Sequence, residues 1–319
     1  MPHALPDRAS LLVTLVGEQP IPPLLAIRAL RPGHVVMLTT KTRRPVAERL
    51  ARMVEVPCTV MEADDRFRFG LVMQELEQWG AFPAGTALDL TGGAKTTALA
   101  LYTYAQRACH AFPLRVFYLR SAVGEEWLDE LVLDGPAAAL RTQAEYRLPP
   151  LLTADEYVQA HVGPCHPAKP PAEPRGRAFE QAVVQTLRQA GYDTCAGFCI
   201  KAGDSQREVD VAARSSNQVG VFEIKVGGRE KPKQGLDQLV ALAQREAFGT
   251  FVRRFLVLST PLNASLARLA QEQHVCVVDR LGGDLDGKTR RWDLPEASMH
   301  RLLGEVQRHL GPPTGTTRP

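Results

Sequence analysis

Short apolar runs alternate with stretches of helical spacing through the first half of the chain. The first run, residues 11–16, ends at Gly17, which is typical of a strand buried on both faces of a sheet. The same pattern predicts strands at residues 11–16, 35–38, 58–61, 86–90 and 114–119, and helices at residues 22–30, 46–54, 69–79 and 98–109. Strands that alternate with helices imply right-handed parallel crossovers, so we predict a doubly wound α/β domain with a parallel sheet over residues 1–148.

The second half of the chain has a different order of elements. Prolines are dense between residues 149 and 174, around one short helical stretch near residues 154–161, which is typical of a semi-rigid linker. Residues 175–319 are then predicted to form a mixed-sheet α/β domain. Its predicted helices are residues 176–190, 236–247 and 262–273, and its predicted strands are residues 194–200, 208–213, 219–226, 255–259 and 275–279. We expect the tail from Gly311 onward to be disordered.

Composition narrows the class of protein without deciding its function. The chain has 319 residues, of which 45% are hydrophobic and 23% charged, as in soluble globular proteins of two domains. A formal net charge of +3 permits a polyanion partner but does not require one. No apolar run reaches the roughly 18 residues of a membrane span, and no cleavable signal pattern is seen, so we expect a cytoplasmic protein with no membrane partner.

Six cysteines are scattered through both halves of the chain. A disulfide framework is not expected in a chain of this size in a reducing cytosol. Cys165-His166 and Cys195-x3-Cys199 have metal-ligand chemistry, but no second closely spaced pair accompanies them. Zinc is therefore disfavoured, and we interpret the thiols as buried or idle.

Two carboxylates and one lysine occupy neighbouring predicted strands in the second half. Glu223 and Lys225 are two residues apart, so both side chains lie on one face of their strand, and an antiparallel neighbour can bring Asp210 to them. Mg²⁺ and Mn²⁺ prefer oxygen ligands, so Asp210, Glu223 and the Ile224 carbonyl are the predicted metal ligands. The metal would activate water, and Lys225 would orient it and stabilise charge in the transition state. Glu180, on the first predicted helix of this half, could hold a further water or a second metal.

The spacing Asp210-x12-Glu223-x-Lys225 resembles the signature of the PD-(D/E)xK, restriction-endonuclease-like nucleases. The helix with Gly176-x2-Phe179-Glu180 resembles their first motif, and a glutamine on the following helix resembles their fourth element. Val209 stands where the family usually has proline. The resemblance spans about residues 175–280 and implies these catalytic residues: Asp210, Glu223, Lys225, Glu180 and Gln238. The alternative interpretation is an exposed lysine paired to a glutamate on a sheet surface.

A cationic run at residues 227–234 follows Lys225 directly. It is either a solvated loop or a flexible surface that tracks the backbone of a polyanionic substrate. Arg245, Arg253 and Arg254 are predicted to add to its positive field. Few aromatic residues accompany these cations, so we expect little base stacking and low sequence specificity.

Polar and turn residues stand at three predicted strand ends in the first half. The carboxyl ends of strands in a doubly wound sheet converge on one crevice, the usual ligand site. Residues 91–96 also lie between a strand and a helix, where backbone amides favour phosphate. They match neither a Walker A loop nor GxGxxG, so an NTPase and a dinucleotide site are disfavoured. The predicted ligand residues are Gly17, Glu18, Gln19, Pro20, Thr39, Thr40, Lys41, Thr91, Gly92, Gly93, Ala94, Lys95 and Thr96.

The loop at residues 91–95 resembles the T-G-G-T-K ligand loop of CARF domains, the Rossmann-like sensors of CRISPR-associated proteins, with Ala94 in place of threonine. Residues 15–20 resemble the first-strand loop of the CARF subgroup that is fused to nucleases. The pairing resembles, over nearly the full length, the Can/Card-type ancillary nucleases of type III CRISPR systems. It implies a homodimer that binds one cyclic oligoadenylate, and we expect this ligand to be cyclic tetra-adenylate. Ligand binding is expected to activate cleavage of DNA, RNA or both.

Other interpretations stay open from the sequence. One is a ligand-sensing, nucleic-acid-binding regulator with a catalytically degenerate nuclease domain, although no helix-turn-helix with a basic recognition helix is visible. A sequence-specific modification-type endonuclease would need a further recognition domain. The residues do not decide between DNA and RNA, the ring size of the activator, the metal, or whether the sensor degrades its own activator.

Overall fold

The computed structural model describes residues 5–63, 68–108, 112–134, 140–168, 173–202, 205–227, 231–242, 248–249 and 252–314. The chain divides into two compact units, Met1–Leu151 and Leu152–Pro319. Among the described residues, no helix is both long enough and apolar enough to cross a membrane.

The first unit is built on a seven-stranded sheet with the order β3-β2-β1-β4-β5-β6-β7. Strands β1 to β5 are parallel, as predicted, and the helices follow them in alternation. The elements are β1 Leu11–Val16, α1 Ile21–Leu30, β2 His34–Thr40, a 3₁₀ turn Lys41–Arg43, α2 Arg44–Met53, β3 Cys58–Ala63, α3 Phe69–Glu77, β4 Thr86–Asp89, α4 Lys95–Ala108, β5 Leu114–Ala122, β6 Glu125–Leu133 and β7 Arg141–Arg147. Apolar side chains of β1, β4 and β5 pack against α3 and α4 to form one core.

Strands β6 and β7 extend this sheet in antiparallel fashion and were not predicted. The apolar alternation of β6 is hidden because two of its buried positions are Glu126 and Glu130. Glu130 is satisfied inside the sheet, since Arg115 Nε lies 2.6 Å from its Oε1 and Tyr146 Oη donates to its Oε2 over 2.7 Å. Acidic side chains at buried positions therefore concealed β6, and β7 lacks an apolar alternation because most of its residues are exposed.

The second unit is built on a six-stranded mixed sheet with the order β13-β12-β11-β10-β9-β8. Strands β8 to β11 are antiparallel neighbours, while β11, β12 and β13 run parallel. The elements are α5 Ala154–Val162, β8 His166–Pro167, α6 Pro174–Gln189, β9 Asp193–Ala202, β10 Ser205–Ser215, β11 Gln218–Lys225, α7 Lys231–Leu242, β12 Arg253–Leu258, α8 Ala264–Glu272, β13 Val275–Val278, β14 Asp284–Leu285, β15 Trp292–Asp293 and α9 Glu296–Leu310. Phe222 and Phe255 stack at the centre of its core, with ring centroids 4.5 Å apart. The predicted fold class is confirmed in both units.

The stretch predicted as a linker contains packed structure. Thr153 begins α5 with a capping box: its Oγ1 accepts from Glu156 N over 3.1 Å, and Glu156 Oε2 accepts from Thr153 N over 2.8 Å. Tyr157 and Val158 on this helix are buried, and the backbone N of Ala154 donates to Asp193 Oδ2 over 2.8 Å. The short helix predicted near residues 154–161 is present as α5, but the density of prolines did not indicate that it is capped and packed. Residues 169–172 lie outside the described residues.

The predicted disorder from Gly311 onward is wrong for residues 311–314. Tyr192 Oη donates to the Gly311 carbonyl over 2.9 Å, Ser215 Oγ donates to the Pro312 carbonyl over 2.5 Å, and Ser216 N donates to Thr314 Oγ1 over 2.9 Å. The reason is α9, which was not predicted although its buried residues recur every four positions, at 302, 306 and 310. It leads the chain back to the β10–β11 turn, where buried polar groups need partners. Residues 315–319 lie outside the described residues.

Candidate functional site

The structure brings Asp210, Glu223 and Lys225 together, as the strand pattern predicts. The antiparallel register of β10 and β11 pairs Val211 with Phe222, and its continuation sets Asp210 opposite Glu223. Asp210 Oδ2 accepts a hydrogen bond from the backbone N of Ile224 over 2.7 Å. Lys225 Nζ lies 2.5 Å from Glu223 Oε1 and 4.0 Å from Asp210 Oδ2. One ammonium group therefore stands between two carboxylates from neighbouring strands.

Burial makes this group electrostatically unusual. Asp210 and Glu223 are both buried, with 9% and 3% of their surface exposed. Burial raises the pKa of Glu223 to about 8, and the neighbouring Asp210 carboxylate adds to the rise. Burial also raises the pKa of Asp210, against the opposing effects of Lys225 and the Ile224 N–H. Burial by itself lowers the pKa of Lys225, but the surrounding carboxylates outweigh it and the net shift is upward.

Two further acidic residues, Glu180 and Glu208, interact electrostatically with Asp210 and Lys225. Glu180 lies on α6, and burial raises its pKa to about 7, with Asp210 and Glu208 adding to the rise. Glu208 stands two residues before Asp210 on β10 and so on the same face of the strand. Burial raises the pKa of Glu208 as well, followed by the effect of Asp210. Glu208 was not among the predicted site residues, although its spacing from Asp210 in the sequence carried the signal.

The residues present fit a divalent cation. Glu180, Glu208, Asp210 and Glu223 offer four carboxyl groups, while Lys225 contributes one positive charge. A cation offsets such a surplus, and carboxylate oxygens are the ligands that Mg²⁺ and Mn²⁺ prefer. Ile224 donates its N–H to Asp210, and its carbonyl is the predicted third ligand.

Gly235 is a site residue that the sequence did not single out. A Cβ built at this position of α7 would lie 3.1 Å from Lys225 Cγ, 3.1 Å from Leu256 Cδ1 and 3.5 Å from Glu223 Cγ. The helix therefore packs its backbone directly on the stems of the two charged side chains. Gln238 follows three residues later on α7 with an exposed side chain, and its role as the fourth element stays a prediction.

The predicted positive field beside the site is only partly present. Arg253 and Arg254 begin β12 and pair with Gly220 and Val221, whereas Lys225 pairs with Leu258 at the other end of that strand. Five strand residues, about 16 Å, separate the two ends, so this part of the prediction is wrong. The direction of β12 places Arg253 and Arg254 at the end of the strand far from Lys225, and the apolar pattern of the sequence does not reveal that direction. Lys231 pairs with Glu173 over 2.6 Å, while residues 228–230 and Arg245 lie outside the described residues.

A second group with metal-ligand chemistry lies in the same unit. Ligand atoms of Cys276, Glu305 and His309 lie within 4.8 Å of one another. Arg308 already donates to both carboxylate oxygens of Glu305, over 2.7 and 3.0 Å, and burial raises the pKa of Cys276 to about 12. This group therefore lacks the surplus negative charge of the Asp210 cluster. The other described cysteines, Cys58, Cys165, Cys195 and Cys199, are free thiols.

In the first unit the predicted ligand loops converge at the carboxyl ends of β1, β2 and β4. A Cβ on Gly17 would lie 3.0 Å from Gly93 Cα, so these two backbones touch. A Cβ on Gly92 would lie only 2.2 Å from the Leu15 carbonyl oxygen, which leaves glycine as the residue that fits. Thr39 Oγ1 donates to the Val16 carbonyl over 2.8 Å and joins β2 to the same corner.

Buried Asp89 holds the 91–96 loop in place, and the sequence did not indicate this role. Its Oδ2 accepts from Thr14 Oγ1 over 2.7 Å, and its Oδ1 accepts from Thr91 N and Thr91 Oγ1 over 3.0 and 2.6 Å. Thr91 Oγ1 in turn accepts from Leu119 N over 2.8 Å. The Thr91 hydroxyl therefore fixes the loop rather than standing free for a ligand. Burial raises the pKa of Asp89, against the effect of these hydrogen bonds.

The remaining predicted ligand residues differ in what they offer. Lys41 and Lys95 are exposed. Glu18 forms an ion pair with Arg43, in which Oε1 of the glutamate lies 3.3 Å from Nη2 of the arginine. Among the described residues, Gln19 Nε2 and Thr97 Oγ1 are buried polar atoms with no hydrogen-bond partner, and Thr97 was not predicted. Thr40 Oγ1 lies 3.1 Å from Thr42 Oγ1 and shares a hydrogen bond with it. The roles of Pro20, Thr40, Ala94 and Thr96 as ligand residues stay predictions.

The matches of this chain to known proteins are to solved structures. No protein-family model matches the chain, and no curated protein matches it in sequence. Can2 from Sulfobacillus thermosulfidooxidans, solved in complex with cyclic tetra-adenylate, superposes with a TM-score of 0.65 at 14% identity, over 93% of this chain and 97% of that one. The chain shares its fold with Can2. The predicted resemblance is thus confirmed at the level of the fold.

Two further structures agree with that result. Protein VC1899 from Vibrio cholerae gives a TM-score of 0.71 at 11% identity, over 96% of this chain and 99% of that one. A type III CRISPR defence DNA nuclease activated by cyclic oligoadenylate gives a TM-score of 0.55 at 16% identity, over 97% of this chain and 54% of that one. Both similarities extend over both units of this chain.

The close approach of Gly235 gives a first prediction. Alanine at an exposed helix position stabilises by roughly 0.5–1 kcal/mol relative to glycine. Gly304→Ala in α9 should show this gain in urea unfolding, because nothing lies within 4 Å of its added Cβ. Gly235→Ala should show no gain or a loss, because its Cβ presses on Lys225 and Leu256. Equal stabilisation by both substitutions would contradict the proposed packing.

The raised carboxyl pKa values give a second prediction. Glu223 titrates near 8 in the folded chain instead of its ordinary 4.5, so the folded state holds this proton more tightly than the unfolded state. Its contribution to the unfolding free energy is therefore present at low pH and is lost as pH rises from about 4.5 to 8. Glu223→Gln removes the titration. In EDTA, its stability relative to the parent should rise steadily between pH 5 and pH 8, and a constant difference would count against the burial described here.

Proposed function

We propose that this chain is a metal-dependent endonuclease of CRISPR antiviral defence that a cyclic oligoadenylate activates, with cyclic tetra-adenylate as the expected activator. The observation that carries the nuclease half is the meeting of Asp210, Glu223 and Lys225 across β10 and β11. The proposed substrate is DNA, RNA or both, cut with low sequence specificity.

The acids and the lysine divide the work of phosphodiester hydrolysis. Asp210, Glu223 and the Ile224 carbonyl would hold Mg²⁺ or Mn²⁺, which supplies activation of water and neutralisation of phosphate charge. Lys225 brings a fixed positive charge to the same point, where it stabilises the charge that develops on the phosphoryl oxygens. Glu180, with a pKa of about 7, can give or take a proton near neutral pH. Gln238 offers an amide donor from the neighbouring helix.

The sensor half rests on the converging loops of the first unit. Gly92 and Gly93 let the backbone of the loop approach β1 closely, and α4 begins at Lys95. Backbone amides at a helix start, together with a lysine, suit the phosphates of a cyclic oligoadenylate. We propose a homodimer with the ligand on its two-fold axis, because a symmetric ligand favours the arrangement of protomers that it binds better. The cyclic tetra-adenylate complex of Can2, which has this fold, supports the choice of ligand.

Loss of the lysine tests the nuclease half. Purified protein with Mn²⁺, labelled DNA and RNA and a panel of cyclic oligoadenylates should cleave at least one substrate. Lys225→Ala should reduce the rate by about 10²–10³-fold, because it removes the fixed charge at the phosphate. Arg268→Ala, which removes an exposed charge from α8, serves as the matched control and should cleave like the parent. Binding without cleavage under every condition would instead favour a regulator with a degenerate site.

Loss of the loop lysine tests the sensor half. Lys95→Ala should bind cyclic tetra-adenylate at least tenfold more weakly in calorimetry, and the ratio of rates with and without ligand should fall toward one. Arg107→Ala, an exposed cation in the last turn of the same helix, is the control and should keep the parental ratio. A parental ratio in Lys95→Ala would remove this residue from the ligand site.

A further inference from the structure

An open groove lies between α6 and β9, and it reaches the acidic cluster at one end. Small residues line it from both elements: Ala178 and Ala182 from the helix, and Ala196 and Gly197 from the strand. Small side chains at these positions leave space that larger ones would fill. We call this feature the α6–β9 groove.

The helix side of the groove is polar and cationic. Arg177, Gln181, Gln185 and Arg188 are exposed residues of α6 that line it, and the first three recur every four positions on one face of the helix. Arg188 Nε donates to Thr194 Oγ1 over 2.7 Å, which holds its guanidinium beside the start of β9. Such a stripe of cations and amides suits a polyanion.

One part of the groove opens onto the acids. Glu180 and Glu208 line it, and both interact with Asp210 electrostatically. From Arg177 to Arg188 the helix rises about 16 Å, which one nucleic-acid strand spans with roughly five nucleotides at about 3.4 Å each. A strand lying here would carry a phosphate to the acidic cluster.

We propose that the α6–β9 groove holds one single strand of the nucleic-acid substrate, with its phosphates along Arg177 and Arg188 and one of them delivered to the acids beside Glu180. The inference rests on the proposed nuclease function and names the path of its substrate. The groove lies between one helix and one strand of the second unit, and its cations follow the single line of α6, as one nucleic-acid backbone would. The lining ring Trp292 is buried, so bases do not stack on it and recognition follows the backbone.

The test measures binding apart from cleavage. In a Glu223→Gln background with Ca²⁺, anisotropy of a labelled 12-nucleotide single strand gives the affinity as a function of salt. Each lost phosphate contact should lower the slope of log affinity against log salt by about 0.7. Arg188→Gln and Arg177→Gln should each weaken binding at least fivefold with that change in slope. Arg188→Lys, which keeps the charge, should retain most of the slope.

Controls separate the groove from general effects. Arg268→Gln removes an exposed charge elsewhere on the unit and should leave affinity and slope unchanged. Thr194→Val removes the bond to Arg188 while keeping the cation, so its slope should stay near the parental value. Thermal melting identifies a variant that does not fold. If one of the two arginine variants fails this check, the salt dependence of binding by the other variant tests the proposal.

The outcomes are distinct from those of the nuclease proposal. The proposal would be overturned if Arg177→Gln and Arg188→Gln both fold and both keep the parental slope of log affinity against log salt. It would also be overturned if a duplex of the same sequence binds as tightly as the single strand and loses as much affinity in both variants. Hydrolysis of a small phosphodiester, thymidine 5′-(p-nitrophenyl phosphate), by the parental protein with Mn²⁺ reports on the metal cluster alone. A chain that hydrolyses this ester but shows no arginine-dependent slope retains its nuclease function and loses the groove.

Discussion

The pairing of β10 with β11 is the constraint on which the candidate active site depends. Its register sets Asp210 opposite Glu223, and the hydrogen bond from Ile224 N to Asp210 ties this carboxylate to the partner strand. A slip of one residue would turn Glu223 and Lys225 to the other face of the sheet and bring Phe222 and Ile224 into their place. The stacked rings of Phe222 and Phe255 oppose that slip, since their burial is lost in the wrong register. Core packing and site chemistry therefore select the same alignment.

The two units use a similar device for different ends. In each, a buried aspartate accepts a backbone N–H at the point where the polypeptide leaves regular pairing: Asp210 from Ile224 and Asp89 from Thr91. Asp89 is fully satisfied by threonine hydroxyls as well, so it fixes a loop. Asp210 instead lies among other carboxyl groups with one lysine, so the cluster holds more acids than cations. The difference in neighbours, and not in burial, separates a structural carboxylate from one suited to a cation.

The sequence predicted those helices and strands in which apolar and polar residues alternate with the period of the element. The alternation of Phe222 and Ile224 with Glu223 and Lys225 predicted both the strand and the shared face. The parallel strands of the first unit, each a continuous apolar run, were equally visible. Strand β6 was missed because its buried Glu126 and Glu130 break the apolar alternation, and β7 was missed because most of its residues are polar and exposed.

Other features depend on long-range placement, which local pattern does not encode. The positions of Arg253 and Arg254 required the direction of β12, and the packing of Gly235 required the approach of α7 to β11. The role of Asp89 became clear only from its hydrogen bonds to Thr14 on β1 and to Thr91 in the loop after β4. In each case the residue type was ordinary, and its neighbours gave it a function.

The clasp formed by residues 311–314 has a consequence for the order in which this unit assembles. It closes on the turn between β10 and β11 from about a hundred positions later in the chain, through Ser215, Ser216 and buried Arg214. While the ribosome is still adding those positions, the hairpin has to form without its anchor, and contacts between such distant positions form slowly. Full stabilisation of the hairpin that carries Asp210 and Glu223 therefore waits for residues 311–314.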